Sequence, residues 1–192
     1  MAFITKNFLR EKISSYWFLE KFASEIKEAQ LSIFLSHSHR DKDLAEGFAK
    51  ILGDCGVCIY LDWRDPTLPD VTNKETAERI KEKIKKLDLF ILLATDNALS
   101  SRWCPWEIGI ADGSKDYEFI LIVPVVDDDD KEFKGNEYLQ IYRRIEMDSF
   151  EKIFVMEPSF RKYGATFSEN EITYKYQGEL LEKFLKRKAG II

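Results

Sequence analysis

The chain has 192 residues, of which 45% are hydrophobic and 33% charged, as in an ordinary folded protein that buries one substantial core. Its formal net charge of −5 gives no electrostatic reason to bind nucleic acid or anionic lipid, so we expect neither as a partner. We also expect a cytoplasmic protein, because the sequence shows neither a membrane span of about 18 apolar residues nor the apolar centre of a secretory signal.

The three cysteines are too few for a disulfide framework. Cys55 and Cys58 have the CxxC spacing of zinc and redox sites, and the other soft ligands are Cys104, His37 and His39. The histidines and Cys55 fall at opposite ends of neighbouring predicted strands, roughly 20 Å apart for a strand of about six residues. A thioredoxin-type CxxC opens a helix, whereas this one precedes a strand. We therefore expect inert thiols and no metal site.

Residues 7–29 are predicted to form an amphipathic helix, and we divide the chain into this N-terminal helix, residues 1–30, and a domain of residues 31–192. An apolar stripe runs along the helix: Phe8, Tyr16, Phe18, Leu19, Phe22, Ile26 and Ala29. The stripe is too aromatic to stay in water. It packs either on the following domain, which we favour, or on another copy of the chain.

Strands and helices then alternate. Strands are predicted over residues 31–36, 57–61, 87–94, 119–126 and 152–156. Helices are predicted over 41–52, 103–112, 136–145 and 176–188, and one more begins after Thr72. Strands without polar alternation are buried on both faces, which indicates a parallel sheet with helices on both sides. We expect an α/β fold with a flavodoxin-like, doubly wound, five-stranded parallel sheet.

In sheets of this kind, ligands bind at the carboxyl ends of the strands, near the point where the strand order reverses. The loops that face this edge begin at Ser36, Asp62, Thr95 and Val126. Neither GxGxxG nor GxxxxGK[ST] follows any of the strands. This argues against redox use of a dinucleotide and against P-loop hydrolysis.

The most unusual stretch ends at Glu107, where a glutamate follows two tryptophans and a cysteine at the start of a predicted helix. Charged groups seldom lie among aromatic side chains unless they are paired or take part in binding or catalysis. A carboxylate in such a cleft can stabilise a sugar cation. The alternative is a first-turn glutamate that the helix dipole favours, and on this stretch alone that alternative is the more frequent one.

Three segments resemble, in order, motifs of the TIR (Toll/interleukin-1 receptor) domain family. Residues 33–43, IFLSHSHRDKD, resemble the first motif, a strand that ends in Ser-His before an acidic helix start. Residues 60–63, YLDW, with the proline-containing loop after them, are similar to the second strand and the loop called BB. Residues 100–107, SSRWCPWE, match the motif in which a Trp-Cys pair precedes a glutamate by two intervening residues. The resemblance covers residues 31–157 and is closest to bacterial members, such as the NAD-cleaving TIR domains of the Thoeris antiphage defence system.

The resemblance implies an NAD⁺ nucleosidase, with NAD⁺ as substrate, no separate cofactor, and Glu107 at the position of the catalytic glutamate. Its product is ADP-ribose after hydrolysis, or a cyclic ADP-ribose-type signal after cyclisation. The cleavage passes through an oxocarbenium-like state, as in glycoside cleavage. Nicotinamide leaves from a cationic pyridinium and needs no general acid, so one carboxylate beside the ribose is sufficient.

The strand ends at the predicted ligand edge and the glutamate motif supply the expected substrate-binding residues: Ser36, His37, Asp62, Trp63, Arg64, Thr95 and Trp103. Several have an alternative role. His37 either binds a phosphate or ribose or is satisfied within its loop, and Trp63 either stacks on a base or fixes the BB loop. Arg64 pairs with the pyrophosphate or only with Asp65. Trp103 is more typical of packing that orients Glu107.

We therefore favour a bacterial antiviral defence enzyme that depletes NAD⁺ or makes a signal for a separate effector protein. In the family a neighbouring subunit's BB loop often completes the cleft, so we expect self-association through TIR–TIR contacts. Two alternatives remain open. One is a non-enzymatic TIR interaction module in signalling, which would bind partners and leave NAD⁺ untouched. The other is a relative of nucleoside hydrolases or deoxyribosyltransferases, which nucleoside turnover would reveal.

Overall fold

The structure, a computed structural model, describes residues 2–13, 31–66, 68, 73–130, 132–158 and 178–191. The strands in these ranges are β1 Ile4–Thr5, β2 Ser32–Ser36, β3 Cys58–Tyr60, β4 Leu89–Ala94, β5 Ile120–Val126, β6 Arg143–Met147, β7 Ile153–Met156 and β8 Gly178–Leu180. The helices are α1 Lys6–Glu11, α2 Lys42–Asp54, α3 Lys74–Lys86, α4 Asp96–Leu99, α5 Cys104–Asp112 and α6 Leu181–Lys188.

These strands form one sheet in the order β3-β2-β4-β5-β6-β7-β8, and β1 pairs with the end of β5. The five strands from β3 to β6 are parallel, whereas β7 and β8 are antiparallel to their neighbours. The predicted doubly wound α/β fold with five parallel strands is thus confirmed. Because β3 and β4 lie on opposite sides of β2, the strand order reverses there, and the carboxyl ends of β2 and β4 form the switch point.

The fifth parallel strand is β6, and it lies in the segment 136–145, for which the sequence predicted a helix. That prediction is wrong: Glu137–Ile141 form a single 3-10 helix, and the chain is extended from Arg143 onward. Apolar residues spaced like one helix face produced the error, whereas pairing with β5 and β7, which are distant in sequence, decides the conformation. The strand predicted over 152–156 is present as β7, but it runs antiparallel to β6.

Helices cover both faces of the sheet. One layer contains α1, α2 and α6, and the other contains α3, α4 and α5. All six residues of β4 are at most 2% exposed, which explains why this strand is apolar along its whole length. The longest described helices have 13 residues. Within the described ranges, no helix is both long and apolar enough to cross a membrane.

The first residues of the chain pack into the same core. Ile4 and Leu9 are fully buried. The helix α1 approaches α2 so closely at Gly47 that a β-carbon there would overlap the carbonyl oxygen of Leu9, so this position requires glycine. Of the helix predicted over 7–29, α1 covers the first residues and ends at Glu11. A continuous helix over 7–29 is therefore wrong, because Lys12 and Ile13 follow α1 in a turn and are not helical. Residues 14–30 lie outside the described part of the chain, so a helix there stays a prediction, as does a domain boundary at residue 30.

The helix that precedes β4 begins one residue later than predicted. Asn73 caps α3, and its side chain accepts a hydrogen bond from the backbone N–H of Thr76. The hydroxyl of Thr76 in turn accepts one from the backbone N–H of Asn73. The predicted cap, Thr72, lies outside the described residues. Residues 176 and 177 of the last predicted helix also lie outside the described residues. Its next three residues were predicted wrongly: Gly178–Leu180 form β8, because they pair with β7, and the helix α6 begins only at Leu181.

Candidate active site

Glu107 lies in the first turn of α5, beside the carboxyl end of β2. The turn before this helix is fixed by Ser101, whose Oγ accepts hydrogen bonds from the backbone N–H groups of Trp103 at 3.1 Å and Cys104 at 3.5 Å. Pro105 lies in the first turn, where its missing N–H is not needed. The sequence therefore starts a helix at a position that brings the fourth helical residue, Glu107, to the edge of the sheet.

The carboxyl group of Glu107 is buried and held by Ser36, the last residue of β2. Ser36 Oγ donates a hydrogen bond to Glu107 Oε2 at 2.6 Å. Glu107 is 5% exposed, and burial raises its pKa to about 7. The bond from Ser36 opposes this rise, and the negative charge of Asp62 adds to it. A carboxyl group that titrates near neutral pH at a strand edge is typical of a functional group.

A second cluster, at the ends of β2 and β3, contains His37, Asp62 and Trp63. His37 Nε2 lies 3.6 Å from Asp62 Oδ1, and Nδ1 of the same ring lies 2.9 Å from the carbonyl oxygen of Leu35. The indole of Trp63 meets the imidazole nearly at a right angle, with ring centroids 4.3 Å apart. Burial lowers the pKa of His37, although Asp62 opposes this effect. The imidazole is therefore neutral at neutral pH, and the contact with Asp62 is not an ion pair.

The two clusters flank the sheet edge from opposite sides. Side chains of consecutive strand residues point to opposite faces, so Ser36 and His37 diverge. Ser36 meets Glu107 on the face covered by α5, whereas His37 meets Trp63, which packs against the layer of α1, α2 and α6. Both clusters lie at the switch point of the sheet, the place where doubly wound proteins bind their ligands.

A third group of polar residues joins the loops after β2 and β4. Thr95 Oγ1 donates to Asp41 Oδ2 at 2.5 Å, and Asn97 Nδ2 donates to Asp41 Oδ1 at 2.7 Å. The Thr95 hydroxyl also accepts from the backbone N–H of Ala98 and so caps α4. Its one proton is thus given to Asp41, and Thr95 positions the loops rather than donating to a ligand. Asp41 was missed as a site residue, because an acidic residue at a helix start is read as a cap.

The side chains of Arg64 and Trp103 have partners other than Glu107. Arg64 Nη2 donates to Glu46 Oε1 of α2 at 2.8 Å, a partner that neither sequence-based alternative included. The Trp103 ring lies edge-on to Trp106 with centroids 5.1 Å apart, and it packs on the layer of α3, α4 and α5. This contact fits the alternative in which Trp103 orients α5 by packing.

Comparison with known proteins agrees with this fold. The family model of the TIR domain matches residues 33–154, from β2 into β7. The chain belongs to the TIR domain family. It is 33% identical over 113 residues to the probable 3′ cyclic ADP-D-ribose synthase ThsB′ of Bacillus cereus (strain MSX-D12), covering 57% of this chain and 58% of that protein. It is 27% identical over 79 residues to the putative cyclic ADP-D-ribose synthase TIR2 of Cytobacillus dafuensis, covering 40% and 21%. The alignments thus span less than two thirds of either relative.

Proposed function

We propose that this chain cleaves the nicotinamide–ribose bond of NAD⁺ and closes the product into a cyclic ADP-ribose, with ADP-ribose as the product when water attacks instead. The observation that carries this proposal is the buried carboxyl group of Glu107, which Ser36 holds at the switch point of the sheet. The names of the two relatives, both cyclic ADP-D-ribose synthases, support the same reaction class.

The chemistry needs one negative charge beside the reacting ribose. As the bond between ribose C1 and the nicotinamide nitrogen breaks, its electron pair neutralises the pyridinium and positive charge develops on the ribose. An ionised Glu107 facing that charge stabilises it strongly, because the carboxylate is shielded from water and already oriented by Ser36. Glu107 is therefore the catalytic residue of this proposal, and nicotinamide leaves without protonation.

The test is to incubate the purified protein with NAD⁺, measure nicotinamide release, and identify the second product by mass. We expect nicotinamide together with a product one water lighter than ADP-ribose. Glu107→Gln, which keeps the shape of the side chain, is expected to lower the rate by more than about 100-fold. The matched control is Glu75→Gln, because Glu75 is an exposed glutamate in the first turn of α3 and should be replaceable without effect.

Equal rates for the wild type and Glu107→Gln would contradict the role of Glu107. A folded wild type that binds other TIR domains and leaves NAD⁺ unchanged would instead support the non-enzymatic interaction module. Turnover of free nucleosides at a rate comparable to that of NAD⁺ would support a nucleoside hydrolase. Nicotinamide release and nucleoside turnover are read from the same chromatogram when nucleosides are included as a parallel substrate, and binding to other TIR domains is measured separately.

We further propose a setting for this activity: the cytoplasm of a bacterium, self-association through TIR–TIR contacts, and a separate effector protein that binds the cyclic product during antiviral defence. The free thiols of Cys55, Cys58 and Cys104 are compatible with a reducing compartment. A cyclic nucleotide released from the site acts only through a protein that binds it. Specific activity that rises with protein concentration would support self-association, and a constant value would contradict it.

A further inference from the structure

The imidazole of His37 has an unused acceptor. Among the residues that the structure describes, Nε2 of His37 is the buried side-chain nitrogen or oxygen atom that has no hydrogen-bond partner. The side chain is 2% exposed. An unpaired polar atom in a buried position destabilises the fold. Its presence at the ligand edge of the sheet indicates a donor that comes from outside the chain.

The neighbours of His37 determine which nitrogen carries the proton. Nδ1 lies 2.9 Å from the carbonyl oxygen of Leu35, which only accepts, so Nδ1 is the protonated nitrogen. The carboxylates of Asp62 and Asp41 and the imidazole of His39 face the ring, and burial outweighs them and lowers the pKa of His37. Nε2 therefore presents a free electron pair at neutral pH, which is what a general base needs.

The distance from His37 to Asp62 suggests what the pair binds. Nε2 and Asp62 Oδ1 are both acceptors, and they lie 3.6 Å apart. Two neighbouring acceptors that cannot bond each other match two neighbouring donors, and the hydroxyls on adjacent ribose carbons are such a pair. Carboxylates bind ribose hydroxyls at this edge in other doubly wound proteins. Lys42 Nζ lies 5.6 Å from the ring centroid of Trp63, which itself packs on His37, and its positive charge suits the phosphate of a nucleotide.

Ser36 and His37 are consecutive residues at the end of β2, and their side chains contact different groups of the switch point. Ser36 holds Glu107, and His37 faces Asp62 and Trp63. A dinucleotide has two riboses joined by a pyrophosphate. With the nicotinamide ribose beside Glu107, the adenosine ribose is the part of the same molecule that reaches His37 and Asp62.

We infer that His37 is the general base of cyclisation: with Asp62 it binds the diol of the adenosine ribose and removes a proton from the hydroxyl that closes the ring. This inference rests on the proposed function. The bond from C1 to nicotinamide breaks with its electron pair going to nicotinamide, and a bond forms between C1 and the hydroxyl oxygen. The hydroxyl proton moves to Nε2, the resulting imidazolium faces Asp62, and the proton then passes to solvent. The overall products are an O-linked cyclic ADP-ribose, nicotinamide and one proton.

The first test measures the ratio of cyclic to linear product for His37→Gln. Because the bond to nicotinamide breaks ahead of the attack, nicotinamide release is expected to fall less than about tenfold, whereas the product ratio falls more than about tenfold. His39→Gln is the matched control. His39 Nε2 also lies 3.6 Å from a carboxylate oxygen of Asp62, but its side chain is 65% exposed, so the ratio should not change. An unchanged ratio in a folded His37→Gln protein would overturn the inference.

The second test uses the wild-type protein and does not depend on the folding of a variant. NAD⁺ analogues that lack either the 2′- or the 3′-hydroxyl of the adenosine ribose are supplied separately. One of them is expected to release nicotinamide and give only linear product. Cyclisation of both analogues, or a wild-type product closed through an adenine nitrogen, would overturn the role of His37 and leave the proposed function intact. Absence of nicotinamide release from NAD⁺ would overturn both.

Discussion

The two edges of the parallel sheet differ in how deeply their polar side chains are buried. Among the described residues, six of the eight buried polar or charged side chains lie near the carboxyl edge: Ser36, His37, Ser38, Asp41, Thr95 and Glu107. At the amino edge, polar groups are paired and more exposed. Asp88 accepts hydrogen bonds from the backbone N–H and the hydroxyl of Ser32 at 2.7 and 2.6 Å, and Lys115 donates to the carbonyl oxygen of Leu87.

A cavity by itself is weak evidence for a functional site in this fold. A cavity of about 560 Å³ lies at the amino edge, between the ends of α3 and α5. Its charged groups include Lys115 and Asp88, which already have partners within the chain. At the carboxyl edge, by contrast, burial disfavours the ionised forms of Glu107 and His37. Polar groups that remain buried in spite of this cost indicate a functional site better than volume does.

The largest expected effect on stability is at the carboxyl edge. Glu107→Gln should raise the free energy of unfolding by about 3 kcal/mol near pH 8. Burial raises the pKa of Glu107 from 4.5 to about 7, so the unfolded chain ionises first as the pH rises. The wild type therefore loses stability as the pH rises from 4.5 to about 7 and loses no more above pH 7. Glu107→Gln has no carboxyl group at this position and does not show this loss. Urea unfolding near pH 4 and pH 8 measures this, and the two proteins should agree near pH 4.

The same exchange of a carboxylate for an amide has the opposite sign at the amino edge. Asp88→Asn is expected to lower the free energy of unfolding by about 1 kcal/mol, because the amide weakens two hydrogen bonds from Ser32. The same urea experiment near pH 8 compares the two variants directly. If both substitutions destabilise the protein, the contrast between the edges is wrong.

An effect of intermediate size, between those of Glu107→Gln and Asp88→Asn, is expected for the polar network that joins the loops after β2 and β4. Thr95→Val removes the donor to Asp41 and the cap of α4, and should destabilise the protein by about 2 kcal/mol. Ser100→Ala, which removes an exposed bond at the other end of α4, is the control and should change stability by less than about 0.5 kcal/mol. Equal values for the two variants in urea unfolding would show that burial of the network adds nothing.

The smallest expected effects are shifts of the pH at which NAD⁺ cleavage is half maximal. The hydrogen bond from Ser36 lowers the pKa of Glu107, so Ser36→Ala should move this midpoint to higher pH. The charge of Asp62 raises the pKa, so Asp62→Asn should move the midpoint to lower pH, even where it also lowers the rate. Shifts in the same direction would mean that the midpoint does not report Glu107.

The sequence predicted the parallel strands well, because burial on both faces makes β2, β4 and β5 continuously apolar. It failed for β6, where Arg144 and Glu146 alternate with apolar residues and pair with each other at 2.8 Å. Local spacing resembled a helix there, and contacts with β5 and β7 decided otherwise. The ends of α2 and α5 and the start of α3 were predicted to within a few residues, whereas the first helix ends at Glu11 and not near residue 29.

Individual contacts of the site could not be predicted from the sequence. Ser36 and Glu107 could be assigned to one edge, but their hydrogen bond spans 71 positions of the chain. The partner of Arg64 is Glu46, which lies on a different element. Asp41 resembles an ordinary helix cap until Thr95 and Asn97 are seen to donate to it. The pKa of Glu107 depends on how much of its surface the fold covers, which composition and spacing do not determine.

The central claim is that ionised Glu107 cleaves NAD⁺, and the pH dependence of kcat/KM for nicotinamide release tests it most directly. For the wild type we expect the rate to rise with pH through a midpoint near 7, the pKa that burial gives to Glu107. Folded Glu107→Gln should show less than about one hundredth of this rate at every pH. A folded Glu107→Gln protein with the wild-type rate and the wild-type pH profile would contradict the claim.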